Sequence, residues 1–209
     1  MTQKTIIEFI ESILGGNKAL ISMERLYTLY VLAKFASRLE GNAIEVGVYN
    51  GGSALVLGNV FKSKTLYLCD TFSGMPHCNK EVNDKYTTDA FKESNISVVE
   101  ALFKGKNVKI CQGIFPTDPA CDFVKDEKFC FVHLDVDAYQ SYKESLEAVY
   151  DRVVPGGIIV FDDYGFDAAK LAIENFFMDK PENVQYANFT NHKEGTDKFI
   201  MKGEDECSA

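Results

Sequence analysis

The sequence predicts an α/β fold, Rossmann-like and doubly wound: a mostly parallel seven-stranded sheet with helices on both faces and an antiparallel C-terminal hairpin. Three observations carry it. Short apolar runs alternate with amphipathic stretches from residue 43 onward, the signature of repeated strand–helix units. The runs are apolar at almost every position, as in strands covered on both faces. The first run ends in a glycine-rich turn that leads straight into a helix, the place where such sheets bind nucleotides.

Two helices precede the sheet. Residues 5–14 place Ile6, Ile7, Ile10 and Ile13/Leu14 at helical spacing and stop at Gly15-Gly16. Ser22 is a good N-cap for a second helix, which runs through RLYTLYVLAKFASRL to Gly41. The first strand is AIEVGV (43–48), followed by the helix SALVLGNVFK; the second is TLYLCD (65–70), followed by a polar loop and a helix near 89–103. NVKICQG (107–113) and a short helical stretch near 118–126 come next, then FCFVHLDVD (129–137) and the helix YKESLEAVYDRV. GGIIVFDD (156–163) and the helix DAAKLAIENFFMD lead to two closing strands, NVQYANFT and KFIMKG, joined by the polar turn NHKEGTD. One domain over 1–209 is expected, with N-terminal helices in 1–41 and the core in 42–209. The loop 73–88, SGMPHCNKEVNDKYTT, is long and polar enough to act as a mobile lid.

Composition narrows the partners. A net charge of −9, from 31 acids against 22 bases, repels phosphate backbones and argues against nucleic acid. No apolar run approaches the roughly 20 residues that span a bilayer, so no membrane partner is expected. The N-terminal stretch carries acids within its apolar residues and reads as an amphipathic helix rather than a signal peptide, which gives a cytoplasmic expectation. The six cysteines form no C-x-x-C pair; Cys69, Cys111 and Cys130 lie in strand-like runs and read as reduced core residues.

The first strand ends in Glu45-Val46-Gly47-Val48-Tyr49-Asn50-Gly51-Gly52-Ser53. Gly47, Gly51 and Gly52 allow close approach of a ligand to the backbone. The spacing E-x-G-x-x-x-G-G lacks the third glycine of a dinucleotide fingerprint, and no P-loop lysine follows. It suits a ligand with amine, carboxylate and ribose groups. Asp70, at the end of the second strand, is placed to accept hydrogen bonds from ribose hydroxyls.

Acids then converge at two neighbouring strand ends. Asp135 ends the fourth strand, Asp137 follows on the same side, and Asp162-Asp163 end the fifth. Like charges so close repel unless protonated or bridged by a cation. Asp135, Asp162 and Asp163 suit a hard divalent ion such as Mg2+. His133 reads as a core histidine with a buried partner, and His77 as an ordinary loop residue.

The motifs EVGVYNGGSA, CDTFSGMP, GIFPTDP, FVHLDVDAYQS and VPGGIIVFDDYG, in that order between about residues 43 and 178, resemble the macrocin O-methyltransferase family. These are metal-dependent sugar O-methyltransferases, and catechol O-methyltransferase looks like a more distant relative. The resemblance implies S-adenosylmethionine as cofactor, with Glu45, Gly47, Tyr49 and Ser53 on its methionine portion. It implies Asp70 on the ribose with Thr71 and Phe72 nearby, and Gly113 and Ile114 beside the adenine. It implies Mg2+ on Asp135, Asp162 and Asp163, with Asp135 also taking the acceptor's proton and bordering the cofactor; apart from the resemblance, Asp137 is the second candidate for that base. The family's Cys/Pro/Gly-rich insert after DDYG is missing, and the segment before the first strand is short; both regions shape the acceptor pocket in relatives. A small-molecule acceptor with a sugar hydroxyl is the leading expectation. A catechol or phenolic acceptor, a non-catalytic adenosyl-binding domain, and a homo-oligomer stay open; an NAD-dependent oxidoreductase lacks its helix glycine and catalytic pair.

Overall fold

The computed structural model describes residues 2–16, 19–186 and 198–203. The strands form one seven-stranded sheet: β1 (Asn42–Val46), β2 (Leu66–Asp70), β3 (Val108–Gln112), β4 (Phe129–Leu134), β5 (Val153–Phe161), β6 (Gln185–Tyr186) and β7 (Lys198–Met201). Their order is β3-β2-β1-β4-β5-β7-β6. The first five run parallel, and β7 pairs antiparallel with both β5 and β6. The order reverses between β1 and β4, so a crevice opens outside the carboxyl ends of those strands.

Helices cover both faces. α1 (Gln3–Gly15), α2 (Met23–Ala36), α3 (Gly52–Val60) and α4 (Ile96–Phe103) precede α5 (Tyr139–Val149) and α6 (Asp167–Phe177). Ser22 caps α2 as expected, its side chain accepting from Arg25 N at 3.3 Å. Alternate residues of each central strand feed different cores. Ile44, Val46, Val132 and Leu134 pack toward α5 and α6, while Ala43, Leu68, Phe131 and Val160 pack with Leu29 and Leu57 from α2 and α3. A third cluster joins Ile6, Ile10 and Ile13 of α1 to Leu26 and Val56, docking the N-terminal helices onto the domain.

Three elements are shorter or tighter than the sequence suggested. The helix near 89–103 begins only at Ile96, where Asn95 caps it by accepting from Ser97 N at 2.9 Å. The stretch near 118–126 is a 3-10 helix, Pro119–Val124, opened by the Asp118 side chain on Ala120 N. The closing strand NVQYANFT contributes only Gln185–Tyr186, and its remainder, 187–190, lies outside the described residues.

The cysteine expectation needs correction. Cys69 and Cys130 are free and buried, but Cys111 and Cys121 form a disulfide that ties β3 to the 3-10 helix beside it. Cys207 lies outside the described residues. Among the described residues, no helix is long and apolar enough to cross a membrane.

Candidate active site

A cleft of about 190 Å³ opens at the carboxyl ends of β1, β2, β4 and β5 and is flanked by the loop after β3. Its floor is the turn between β1 and α3. Gly47 holds φ +87°, and a Cβ there would stand 1.7 Å from the carbonyl oxygen of Asp135, so only glycine lets β1 and the end of β4 meet. Gly51, at φ 85°, starts α3 without any side-chain cap, leaving backbone N–H groups of the first turn at the cleft wall beside Gly52 and Ser53.

Asp70 fastens this turn. Its Oδ2 accepts from Val48 N at 2.7 Å and Tyr49 N at 2.9 Å, and its Oδ1 accepts from Phe72 N at 2.7 Å. Tyr49 and Phe72 both sit in the left-handed region, at φ 51° and 50°. Such conformations cost non-glycine residues on the order of 1–3 kcal/mol, and here one carboxylate holds two of them. Asp70, Thr71 and Tyr49 line the cleft; the Tyr49 hydroxyl donates to Glu93 at 3.1 Å.

The acids divide into two groups. Carboxylate oxygens of Asp135, Asp137 and Asp163 lie within 4.8 Å of one another. Asp163 is buried, accepts from Asp137 N at 2.9 Å, and lies 3.0 Å from the Tyr142 hydroxyl. Burial and the neighbouring carboxylates push Asp135 and Asp137 well above the usual carboxylate range. Burial, then Asp162, pushes Asp163 up to about 6. Asp137 holds φ 57°, a further left-handed residue at the site.

Asp162 also lines the cleft and is paired within the protein. Its Oδ2 pairs with Arg25 of α2, and its Oδ1 faces His133 Nε2 at 3.8 Å. The other ring nitrogen of His133 meets Glu45 Oε1 at 2.8 Å across the β1–β4 register. Burial works to lower the His133 pKa, but Asp162 and Glu45 overcome it and raise it to about 10. Burial would raise Asp162, yet His133 and Arg25 bring it below its ordinary value. A chain of alternating charge, Glu45–His133–Asp162–Arg25, therefore runs through the protein behind the acid cluster. His133 is the partnered core histidine expected from the sequence.

The loop 73–88 crosses the cleft mouth and is anchored rather than loose. Asp84 accepts from Asn79 N at 2.6 Å and from Tyr139 N, the first residue of α5, at 2.9 Å. Asn83 Nδ2 reaches Asp167 at 3.1 Å, and the Lys85 ammonium lies 3.8 Å above the Phe166 ring. Tyr86 packs edge-on against both Phe91 and Phe166, and all three rings border the cleft.

The family model for macrocin-O-methyltransferase (TylF) matches residues 17–185. The chain belongs to that family. A Streptomyces olivaceus relative, 8-demethyl-8-(2,3-dimethoxy-alpha-L-rhamnosyl)-tetracenomycin-C 4'-O-methyltransferase, is 25% identical over 176 residues, covering 75% of this chain and 66% of its own. Mycinamicin III 3''-O-methyltransferase from Micromonospora griseorubida is 27% identical over 180 residues, covering 75% of this chain and 69% of its own. The chain thus spans about two thirds of the length of these relatives. Among solved structures, the calicheamicin methyltransferase CalS11 is 13% identical and superposes with a TM-score of 0.71 over 97% of this chain and 93% of that one. The O-methyltransferase NovP gives 0.68 at 18% identity, over 90% and 83%. These two show the fold.

In this macrocin-O-methyltransferase family member the expected cofactor residues fall into two sets. Gly47, Tyr49, Ser53, Asp70, Thr71, Gly113, Ile114 and Asp135 line the cleft. Glu45, Gly51 and Phe72 do not. Glu45 is fully buried on His133, Gly51 lies under Leu102, and Phe72 packs into the core on the α2–α3 side. Of the expected metal trio, Asp135 and Asp163 bring carboxylate oxygens together with Asp137, while Asp162, in the same cleft, pairs with Arg25 and His133. Sequence reading missed Arg25 entirely. Its helix position carries no local signal, and only the fold brings it to a strand end.

Proposed function

We propose that this chain transfers the methyl group of S-adenosylmethionine to a hydroxyl of a sugar on a small molecule. The observation that carries the reading is one cleft that joins an uncapped helix turn, Asp70 and a cluster of raised-pKa carboxylates. Family membership supports it, as do two relatives named for O-methylation of a rhamnosyl tetracenomycin and of mycinamicin III.

The cofactor's methionine carboxylate suits the first turn of α3, where free N–H groups and Ser53 favour an anion. Its ribose suits Asp70. A carboxylate offers about four lone-pair sites, and three backbone donors already use Asp70, so one remains for a ribose hydroxyl. The adenine lies against Gly113 and Ile114 on this reading.

Transfer is a one-step displacement. The acceptor oxygen bonds to the methyl carbon, the carbon–sulfur bond breaks with its electron pair staying on sulfur, and the acceptor's proton leaves to a carboxylate. Alignment of oxygen, carbon and sulfur supplies much of the rate. Asp135 and Asp137 are the candidate bases, because both line the cleft at the end of β4.

Asp135, Asp137 and Asp163 offer hard oxygen donors that repel one another without a counter-charge, a donor set that fits Mg2+. When bound, such an ion supplies Lewis acidity that lowers the pKa of the acceptor hydroxyl. Asp162, held by Arg25 and His133, buttresses this set from behind. The anchored loop brings Tyr86 to the cleft beside Phe166, and the two rings offer apolar contact to a sugar.

The test is methyl transfer from radiolabelled S-adenosylmethionine to a panel of rhamnosides and catechols, with magnesium and with chelator. Label in the sugar is expected. Label only in catechols overturns the sugar reading, and full turnover in chelator overturns the metal's part.

A further inference from the structure

α5 presents three different flanks. Tyr142, Leu146 and Val149 belong to the core beneath the sheet, while Tyr139 reaches α6 through Asn175. The flank turned away from α6 carries Ser141 and Ser145, one helical turn apart. Both residues are buried, at 6% and 0% exposure, and neither hydroxyl oxygen has a hydrogen-bond partner. Both also line the cleft. A helical serine can satisfy itself on the carbonyl four residues back, and neither of these does. Two orphaned buried hydroxyls facing one cavity are a cost to the fold that a polar ligand edge would offset.

The position selects which part of a ligand they meet. Phe115, from the loop after β3, and Cys121 and Val124, from the 3-10 helix, share one core cluster with Tyr142 and Leu146 of α5, so the flank turned away from α6 lies on that side. Val46, Cys69 and Phe115 border the cleft and belong to the same core cluster that α5 covers. The first turn of α3 and Ser53 belong to the opposite face of the sheet, and the acid cluster with its loop lies at the ends of β4 and β5. With ribose at Asp70, the ligand portion reaching past β2 toward Phe115 is the base.

We propose that Ser141 and Ser145 recognise the polar edge of the cofactor's purine, which rests on the adenosyl cofactor assigned above. An adenine edge carries an exocyclic amine that donates and ring nitrogens that accept. A hydroxyl does both, so the pair matches that edge while Phe115 and Ile114 supply apolar contact to the ring. The two serines are positioning residues for the methyl donor and touch no reacting atom.

The experiment uses the full chain with Ser141→Ala, Ser145→Ala and the double variant. Calorimetry measures affinity for S-adenosylhomocysteine and for S-inosylhomocysteine, in which a carbonyl replaces the exocyclic amine. The unaltered protein is expected to prefer the adenosyl ligand. Each alanine should weaken its binding by about 3- to 10-fold, and the double variant should lose most of the preference. The ligand-free melting temperature should hold or rise, because an unpartnered buried hydroxyl is being replaced by a methyl group. Unchanged affinity and preference in the double variant overturn the inference. So does a fall in ligand-free stability with affinity intact, which makes the hydroxyls structural. Failure of the unaltered protein to bind either ligand overturns the cofactor reading itself, and this inference with it.

Discussion

Arg25 on α2 pairs with Asp162 at the end of β5, across 137 positions of sequence, and also donates to the Asp162 carbonyl at 2.6 Å. This contact fixes an N-terminal helix to the strand end that bears the acids. It also terminates the buried charge chain that begins at Glu45.

Arg25→Ala should leave Asp162 buried beside His133 with one counter-charge fewer. Losing one partner of a buried pair costs on the order of 3 kcal/mol. The Arg25 side chain is 26% exposed, so solvent offsets part of that figure. Urea denaturation reads the loss. Turnover should fall along with stability, because Asp162 then no longer holds its place behind Asp135 and Asp163. Unchanged stability would mean that Arg25 is replaceable by water.

Asp70 carries a structural duty that a ribose contact alone does not describe. Asp70→Ala removes the acceptor for three backbone N–H groups and should destabilise the fold by about 1–3 kcal/mol while weakening cofactor binding. Asp70→Asn keeps one acceptor oxygen and should lose less stability. Thermal denaturation and calorimetry on both variants separate the two duties. Loss of affinity with full stability in the alanine variant would leave only the ribose role.

The acid cluster gives stability a pH dependence of known sign. Asp135, Asp137 and Asp163 have folded pKa values raised above 3.8, in the case of Asp163 to about 6. Over that window the folded state holds more protons than the unfolded one. Their contribution is therefore present at low pH and lost as pH rises through the folded values. The melting temperature of cation-free protein should fall from about pH 5 to about pH 7, and millimolar magnesium should flatten the slope. A melting temperature that rises over this range in chelator would show that the three carboxylates do not share one site.

Much of this was legible in the residues. The apolar runs ending at Val46, Asp70, Leu134 and Phe161 report strands buried on both faces, and their pattern needs no tertiary information. Gly47 is legible for the same reason, since a tight turn at a first strand demands a residue tolerant of positive φ. The Cys111–Cys121 disulfide was not legible. Ten positions apart and outside any motif, the two sulfurs meet because the chain doubles back through Pro119–Val124. The pairing of Asp162 was also hidden. A strand end fixes where Asp162 and Asp163 emerge, but the partners of Asp162, Arg25 and His133, are supplied by other elements. The loop read as mobile because Asp84 looks like any loop acid until α5 brings Tyr139 N within reach of it.

The central claim is that the cleft holds an adenosyl sulfur cofactor, and calorimetric titration of the purified chain with S-adenosylhomocysteine and, separately, with NAD tests it most directly. One-to-one binding of S-adenosylhomocysteine is expected, with a Kd in the micromolar range, about −8 kcal/mol, and no measurable binding of NAD. Tight binding of NAD with none of S-adenosylhomocysteine would contradict it.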